Sequence, residues 1–320
     1  MGQLRALTVS QQVGLLFVAL FGVLVIVSLA TFSRSLQDRE PAQQAAHERF
    51  VRDLRAVWTG AAIFWIAWAS GAFVSTLLFG VLSFLALREF VTLTHTRRGD
   101  HRSLLLAFFV VLPLQYVLVG MDWYGLYAIL IPVYVFLFLP IFAALSRDTT
   151  RFLERAAKLM YALMLCVYCV SYVPALLTLH IPGYAGRNVL LIAWLIVVVQ
   201  ASDVLQYVFG KLFGRHRIAP ALSPSKTIEG FAGGVVSSSA IGCALYPLTP
   251  FTPAQAALIA VIVNLMGFCG GLVMSAIKRD RGVKDWGTLI EGHGGMLDRL
   301  DSIVFAAPVY FHMIRYGWEP

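Results

Sequence analysis

Residues 188–208 read NVLLIAWLIVVVQASDVLQYV, an apolar run with a single ionisable side chain, Asp203. Its length matches the roughly 20 helical residues needed to cross about 30 Å of hydrocarbon. Comparable runs lie at 13–32, 57–87, 103–119, 125–145, 159–180, 228–248, 255–277 and 301–316. The 57–87 run is too long for one straight span and short for two, and the Ser70-Gly71 step could break it. The expectation is therefore an all-α, polytopic transmembrane helical bundle of nine or ten spans. Composition agrees: of 320 residues 59% are hydrophobic and 13% charged, against about 25% charged in soluble domains. The mean hydropathy is +0.76. No room remains for a large soluble domain. Residues 1–187 read as N-terminal membrane helices, and residues 188–320 as the region that carries the chemistry.

The loops alternate in charge. Segments 88–102, 146–158, 209–227 and 278–300 carry 4, 4, 4 and 5 Lys/Arg, whereas 120–124, 181–187 and 249–254 carry 0, 1 and 0. Basic loops stay on the cytoplasmic side, so the first group is expected to share that face, as in a bacterial-type inner membrane. The net charge of +8 is accounted for by topology, and no nucleic-acid partner is expected. Segment 33–56 mixes five basic and four acidic residues and reads as an amphipathic interfacial helix. The run 13–32 exceeds a signal-peptide core and reads as a retained anchor, cleavage near Ala30 being the alternative. Cys166, Cys169, Cys243 and Cys269 all fall in apolar stretches and read as packing thiols, although Cys166-x-x-Cys169 has redox spacing.

Three polar constellations interrupt this pattern. Gln200, Asp203 and Tyr207 form one helical stripe. A carboxylate inside a span faces protein or a wet cavity, either as an interhelical hydrogen bond or as part of a site. Next comes Ser223-Pro224-Ser225-Lys226-Thr227-Ile228-Glu229-Gly230. Its hydroxyls and lysine just before a helix start suit an anion, or a plain N-cap. Gly210, Gly214, Gly230, Gly233 and Gly234 would permit close backbone approach to a ligand or between helices. The densest constellation is 275–301, with five Lys/Arg, five Asp/Glu and His293. Lys278, Arg279, Lys284 and Arg299 suit phosphate oxygens. Asp298 and Asp301 share a helical face and could hold Mg²⁺, which favours one or two carboxylates plus substrate phosphates. His293 could orient a phosphate or cap its turn, and the whole run could also be a solvated face. Together they describe a cytoplasmic-side pocket where a phosphate-bearing lipid meets a phosphate donor. Such chemistry needs positioning and charge stabilisation rather than a Ser-His-Asp triad. The absence of an inverted repeat argues against a transporter.

Ser275, Lys278-Arg279, Lys284-Asp285, Gly287, Gly292-His293-Gly294-Gly295, Asp298-Arg299 and Asp301 stand at the spacing of a known signature. It resembles that of phosphatidate cytidylyltransferases, also called CDP-diacylglycerol synthases. The similarity continues through Asp203, Tyr207-Val208-Phe209-Gly210-Lys211 and 223–230, covering roughly 190–316. In the N-terminal half it is confined to hydropathy and Leu87-Arg88-Glu89-Phe90. The resemblance implies the reaction of CTP with phosphatidate to give CDP-diacylglycerol and diphosphate, with Mg²⁺ and room for a second monovalent or divalent cation. It implies catalytic roles for Asp298, Lys278, Arg279, Lys226 and His293. Substrate contacts would come from Ser223, Thr227, Lys284, Arg299 and Tyr207. Metal would bind Asp298, supported by Asp301 and Asp203. A homodimer is left open. One departure stands out: Gly270-Gly271-Leu272 replaces a Gly-Asp-Leu step, so a carboxylate resembling a metal ligand is missing at Gly271. Asp203, Asp301 or Glu291 could substitute, one ion could suffice, or the activity could differ. A CTP-dependent lipid or polyprenol kinase and a non-catalytic member are the competing readings.

Overall fold

The computed structural model describes residues 8–35, 44, 47, 51, 54, 58, 71–145, 148–287 and 294–319. Among these residues the principal elements are nine long helices and one β-ribbon. The helices are α1 (Val9–Ser35), α2 (Gly71–Thr92), α3 (Arg98–Gly120), α4 (Tyr124–Ala144) and α5 (Phe152–Thr178). After α6 (Asn188–Phe213) come strands β1 (Arg217–Ala219) and β2 (Ser223–Thr227), then α7 (Ile228–Ala244), α8 (Pro253–Asp280) and α9 (Leu297–Trp318).

Seven of these helices, α1 to α6 and α8, are long and apolar enough to cross a membrane. The expected nine or ten spans thus become seven candidates among the described residues. α7 has 17 residues, the short limit for a span, and α9 opens with Asp298, Arg299 and Asp301. The break expected at Ser70-Gly71 coincides with the start of α2 at Gly71, whose φ is +85°. Residues 59–70, most of 33–56, and 288–293 of the polar run 275–301 lie outside the described residues.

Helices within lipid must satisfy their backbone internally, and local repairs are visible. Pro132 in α4 cannot donate to the carbonyl of Ala128; the Tyr168 hydroxyl of α5 donates to that oxygen instead, at 3.0 Å. Trp194 Nε1 on α6 donates to the carbonyl of Gly242 on α7 at 3.0 Å, and its ring stacks on Tyr310 of α9 at 5.3 Å. Asn264 Nδ2 on α8 donates to Ser238 Oγ on α7 at 2.6 Å. These bonds tie α6, α7, α8 and α9 into one packed unit.

The basic loops converge, as their charge predicts. Arg97 pairs with Asp148 at 3.5 Å, Glu89 accepts from the backbone of Met296 and Leu297, and Arg279 Nε donates to the Leu222 carbonyl at 3.3 Å. Segments 88–102, 146–158, 209–227 and 278–300 therefore share one end of the bundle. At the opposite end Tyr184 donates its hydroxyl hydrogen to the Leu248 carbonyl, and His180 lies 3.5 Å from Asp122. One expectation needs correction: the bundle is not purely helical. Residues 217–227 fold into an antiparallel ribbon pairing Arg217 with Thr227 and Ala219 with Ser223. Pro220 and Pro224 withhold backbone donors and disfavour helix, so the extended alternative wins in this short stretch.

Candidate functional site

At the basic end of the bundle, α6, α8, α9 and the ribbon bring together a cluster of charged side chains, the polar basin. Asp203 comes from α6, Lys226 from β2, Lys278 from the last turn of α8, and Asp298 and Asp301 from the first turns of α9. The Lys226 ammonium lies within electrostatic reach of Asp203 and Asp301, and its burial pushes its pKa below that of an ordinary lysine. Its Nζ sits 4.7 Å from the centre of the Phe268 ring, a cation–π contact. Beneath it is Gly271: a Cβ there would lie 2.7 Å from Lys226 Nζ. The ammonium fills the space into which a side chain at 271 would project.

The carboxylates around the basin divide into two kinds. Asp298 is fully engaged. Its Oδ1 accepts from Lys278 Nζ at 2.7 Å, and its Oδ2 accepts from the backbone of Trp286 at 2.8 Å and Gly295 at 2.9 Å. Glu229 accepts from the backbone of Arg215 and His216 at 3.0 and 3.2 Å, which locks the ribbon to the start of α7. Glu89 accepts from Met296 at 2.7 Å and Leu297 at 2.8 Å. These three acids organise backbone. Asp203 and Asp301 do not: among the described residues, no cationic side chain comes within 4.0 Å of either. Asp301 Oδ1 accepts only from Ser302, at 2.8 Å from its backbone nitrogen and 3.4 Å from its hydroxyl. Two half-buried carboxylates that feel each other's charge without a close counter-ion are costly, and a cation bound by both would reduce that cost. The donor set fits Mg²⁺, which uses one or two carboxylates and completes its shell with phosphate and water. Among the described residues no three His, Cys, Asp or Glu side chains form a complete ion cage.

A profile of the cytidylyltransferase family matches residues 50–317. The chain belongs to this family. It is 36% identical over 300 residues to the Escherichia coli K12 protein called "Uncharacterized protein YnbB", covering 93% of this chain and 96% of that one. It is 35% identical over 171 residues to a "Phosphatidate cytidylyltransferase" of Staphylococcus saprophyticus, which covers 52% of this chain and 62% of the relative. The protein of the same name from Staphylococcus aureus strain COL is 36% identical over the same length. Nucleotidyltransferase chemistry fits that membership, and the seven long apolar helices fit a membrane protein.

The remaining candidate residues of this cytidylyltransferase-family chain divide sharply. Thr227 caps α7, its Oγ1 accepting from Gly230 N at 3.1 Å, so the N-cap alternative describes its contact. Ser223 Oγ lies 3.5 Å from Ser225 Oγ within the ribbon. Arg279 donates to the Leu222 and Val283 carbonyls at 3.3 Å and braces loops. Lys284 and Arg299 are exposed at the rim. Tyr207 is 65% exposed and makes no hydrogen bond with the basin among the described residues. His293 and Glu291 lie outside the described residues. The glycines serve helix packing: a Cβ on Gly230 would lie 2.7 Å from the Gln206 carbonyl and 2.8 Å from Gly210 Cα. Sequence reasoning assigned no role to Phe268, Trp286 or Ser302. Glu89 and Phe90 stood in a matched stretch without a role, and that match was the available signal.

Proposed function

We propose that this chain transfers the cytidylyl group of CTP to phosphatidate, releasing diphosphate and leaving CDP-diacylglycerol in the bilayer. The observation that carries this reading is the basin itself. Two carboxylates with no cation within 4.0 Å among the described residues, Asp203 and Asp301, lie within electrostatic reach of Lys226, which rests over the Phe268 ring, where the basic loops meet the membrane-crossing helices. A phosphate oxygen of phosphatidate attacks the α-phosphorus of CTP, and the bond to the β-phosphate oxygen breaks with its electron pair leaving on diphosphate. The nucleophile is already anionic at neutral pH, so the site must neutralise charge rather than remove a proton. Lys226 and Lys278 supply positive charge for the phosphates. Asp203 and Asp301 would hold Mg²⁺, which would supply positive charge to offset that of the phosphates. Asp298 acts differently, holding Lys278 and the signature loop in register. Because the Lys226 ammonium occupies the space above Gly271, the site takes one divalent ion. The basic end lies on the cytoplasmic side, where CTP is available.

The test uses purified full-length protein in detergent with phosphatidate, Mg²⁺ and CTP labelled at the α-phosphate. Label should move into the chloroform-soluble fraction with equimolar release of diphosphate, and chelation of Mg²⁺ should stop it. Formation of CDP and a phosphorylated alcohol would replace this reading with a lipid kinase. CTP binding without turnover would replace it with a non-catalytic role.

A further inference from the structure

Helix α9 delivers Asp298 and Asp301 to the basin, yet its own N-cap position is Met296, which has no side chain able to cap it. Uncapped helix starts leave backbone N–H groups unpaired. Here the cap comes from the other end of the chain. Glu89, near the end of α2, accepts from Met296 N at 2.7 Å through Oε1 and from Leu297 N at 2.8 Å through Oε2. Carboxylates bond such amides strongly, aided by the positive end of the helix dipole. The loop is cut to receive it: a Cβ on Gly287 would lie 3.1 Å from Glu89 Oε1, and one on Gly295 would overlap the carboxylate. The next residue, Phe90, stacks on Trp286 with ring centres 5.2 Å apart and planes at 21°. Trp286 N donates to Asp298 Oδ2, and Asp298 Oδ1 accepts from Lys278. An unbroken series of contacts therefore runs from α2 to the lysine at the basin.

We infer that Glu89 is a positioning residue that acts through Met296 and Leu297 to hold the start of α9, and with it the Asp298–Lys278 pair, against the basin. The N-terminal half of the chain thereby sets the geometry of the C-terminal site. This rests on the reading of the basin as a nucleotidyl-transfer site only for its kinetic part.

The test compares Glu89→Gln and Glu89→Ala in full-length protein, with Arg88→Ala at an exposed neighbour as control. Gln keeps one acceptor oxygen and places an amide donor against the second N–H, so it retains at most half the cap. Amide hydrogen exchange should accelerate in peptides covering 286–298 in the order Ala, Gln, wild type, while α2 and α8 keep their protection. In the CTP assay kcat should fall in the same order, by at least about tenfold for Ala, with a smaller change in KM for CTP. Arg88→Ala should leave both readouts at wild-type values. Unchanged exchange at 286–298 in the Ala variant would overturn the inference. So would an equal loss of protection in α2, which marks a merely structural role. If the wild type forms no CDP-lipid, the exchange pattern alone still decides on Glu89, so the two readings fail separately.

Discussion

Replacing Asp298 with Asn removes one charge and changes no volume, so the contacts around it determine the outcome. Its two oxygens face different donors: Lys278 Nζ at 2.7 Å on one side, and the Trp286 and Gly295 amides at 2.8 and 2.9 Å on the other. An Asn has one oxygen and one NH₂. If its oxygen stays with the two amides, its NH₂ points at an ammonium; if it turns, its NH₂ points at two N–H groups. No orientation satisfies both sides. Breaking a buried ion pair by removing one partner costs about 3–5 kcal/mol. Lys278 and Asp298 retain 14% and 11% exposure, so solvent relieves part of that penalty and about 2–4 kcal/mol remains. A loss of this size lowers the melting midpoint by ~3–6 °C, measurable by intrinsic fluorescence or by heating followed by size-exclusion chromatography. Lys278→Met tests the pair. In the double variant no orphaned ammonium remains, so its destabilisation should fall short of the sum of the singles by about 2 kcal/mol. An Asn variant melting within ~1 °C of wild type, or strictly additive singles, would show that the pair does not hold the loop.

Two further outcomes follow from distances around glycines. In Gly271→Asp the new Cβ meets only the mobile end of Lys226, 2.7 Å away, so the lysine can swing aside and the fold survives. The basin then gains a carboxylate, and Mn²⁺ titration followed by electron paramagnetic resonance should show two bound ions where wild type binds one. Equal stoichiometry in both proteins would refute the view that the ammonium replaces an ion. Gly230→Ala presses instead on backbone, the Gln206 carbonyl at 2.7 Å and Gly210 Cα at 2.8 Å, neither of which can rotate away. A cost of about 1–3 kcal/mol should lower the melting point, whereas Gly14→Ala, with nothing within 4 Å, should not. Equal melting of the two variants would mean that α6 and α7 yield more readily than their packing implies.

How far the sequence reveals this protein depends on whether each feature is local. Apolar runs are local, and the run at 188–208 becomes α6 (Asn188–Phe213) because a helix satisfies its backbone within a single segment in hydrocarbon. Charge alternation is nearly local, and it places 88–102, 146–158, 209–227 and 278–300 at one end, where Arg97–Asp148, Glu89–Leu297 and Arg279–Leu222 contacts join them. The ribbon at 217–227 escapes a reading based on hydropathy because its cause is two prolines and a tight pairing, not burial. For the site, the residue types are legible but their roles are not. Asp298, Glu229 and Glu89 look from sequence like any other acids, and only their backbone partners show that they build loops. Asp203 and Asp301 differ in bracing no distant backbone, and among the described residues no cation closes on them within 4.0 Å. Motif spacing records which acids accompany one another; which of them has an oxygen to spare for a cation depends on amides up to 208 residues away, as the Leu297–Glu89 bond shows. A carboxylate's role in this basin is therefore set by the bonds it has already formed, and an Asp that caps a loop cannot be exchanged for one left open without rebuilding the loop as well.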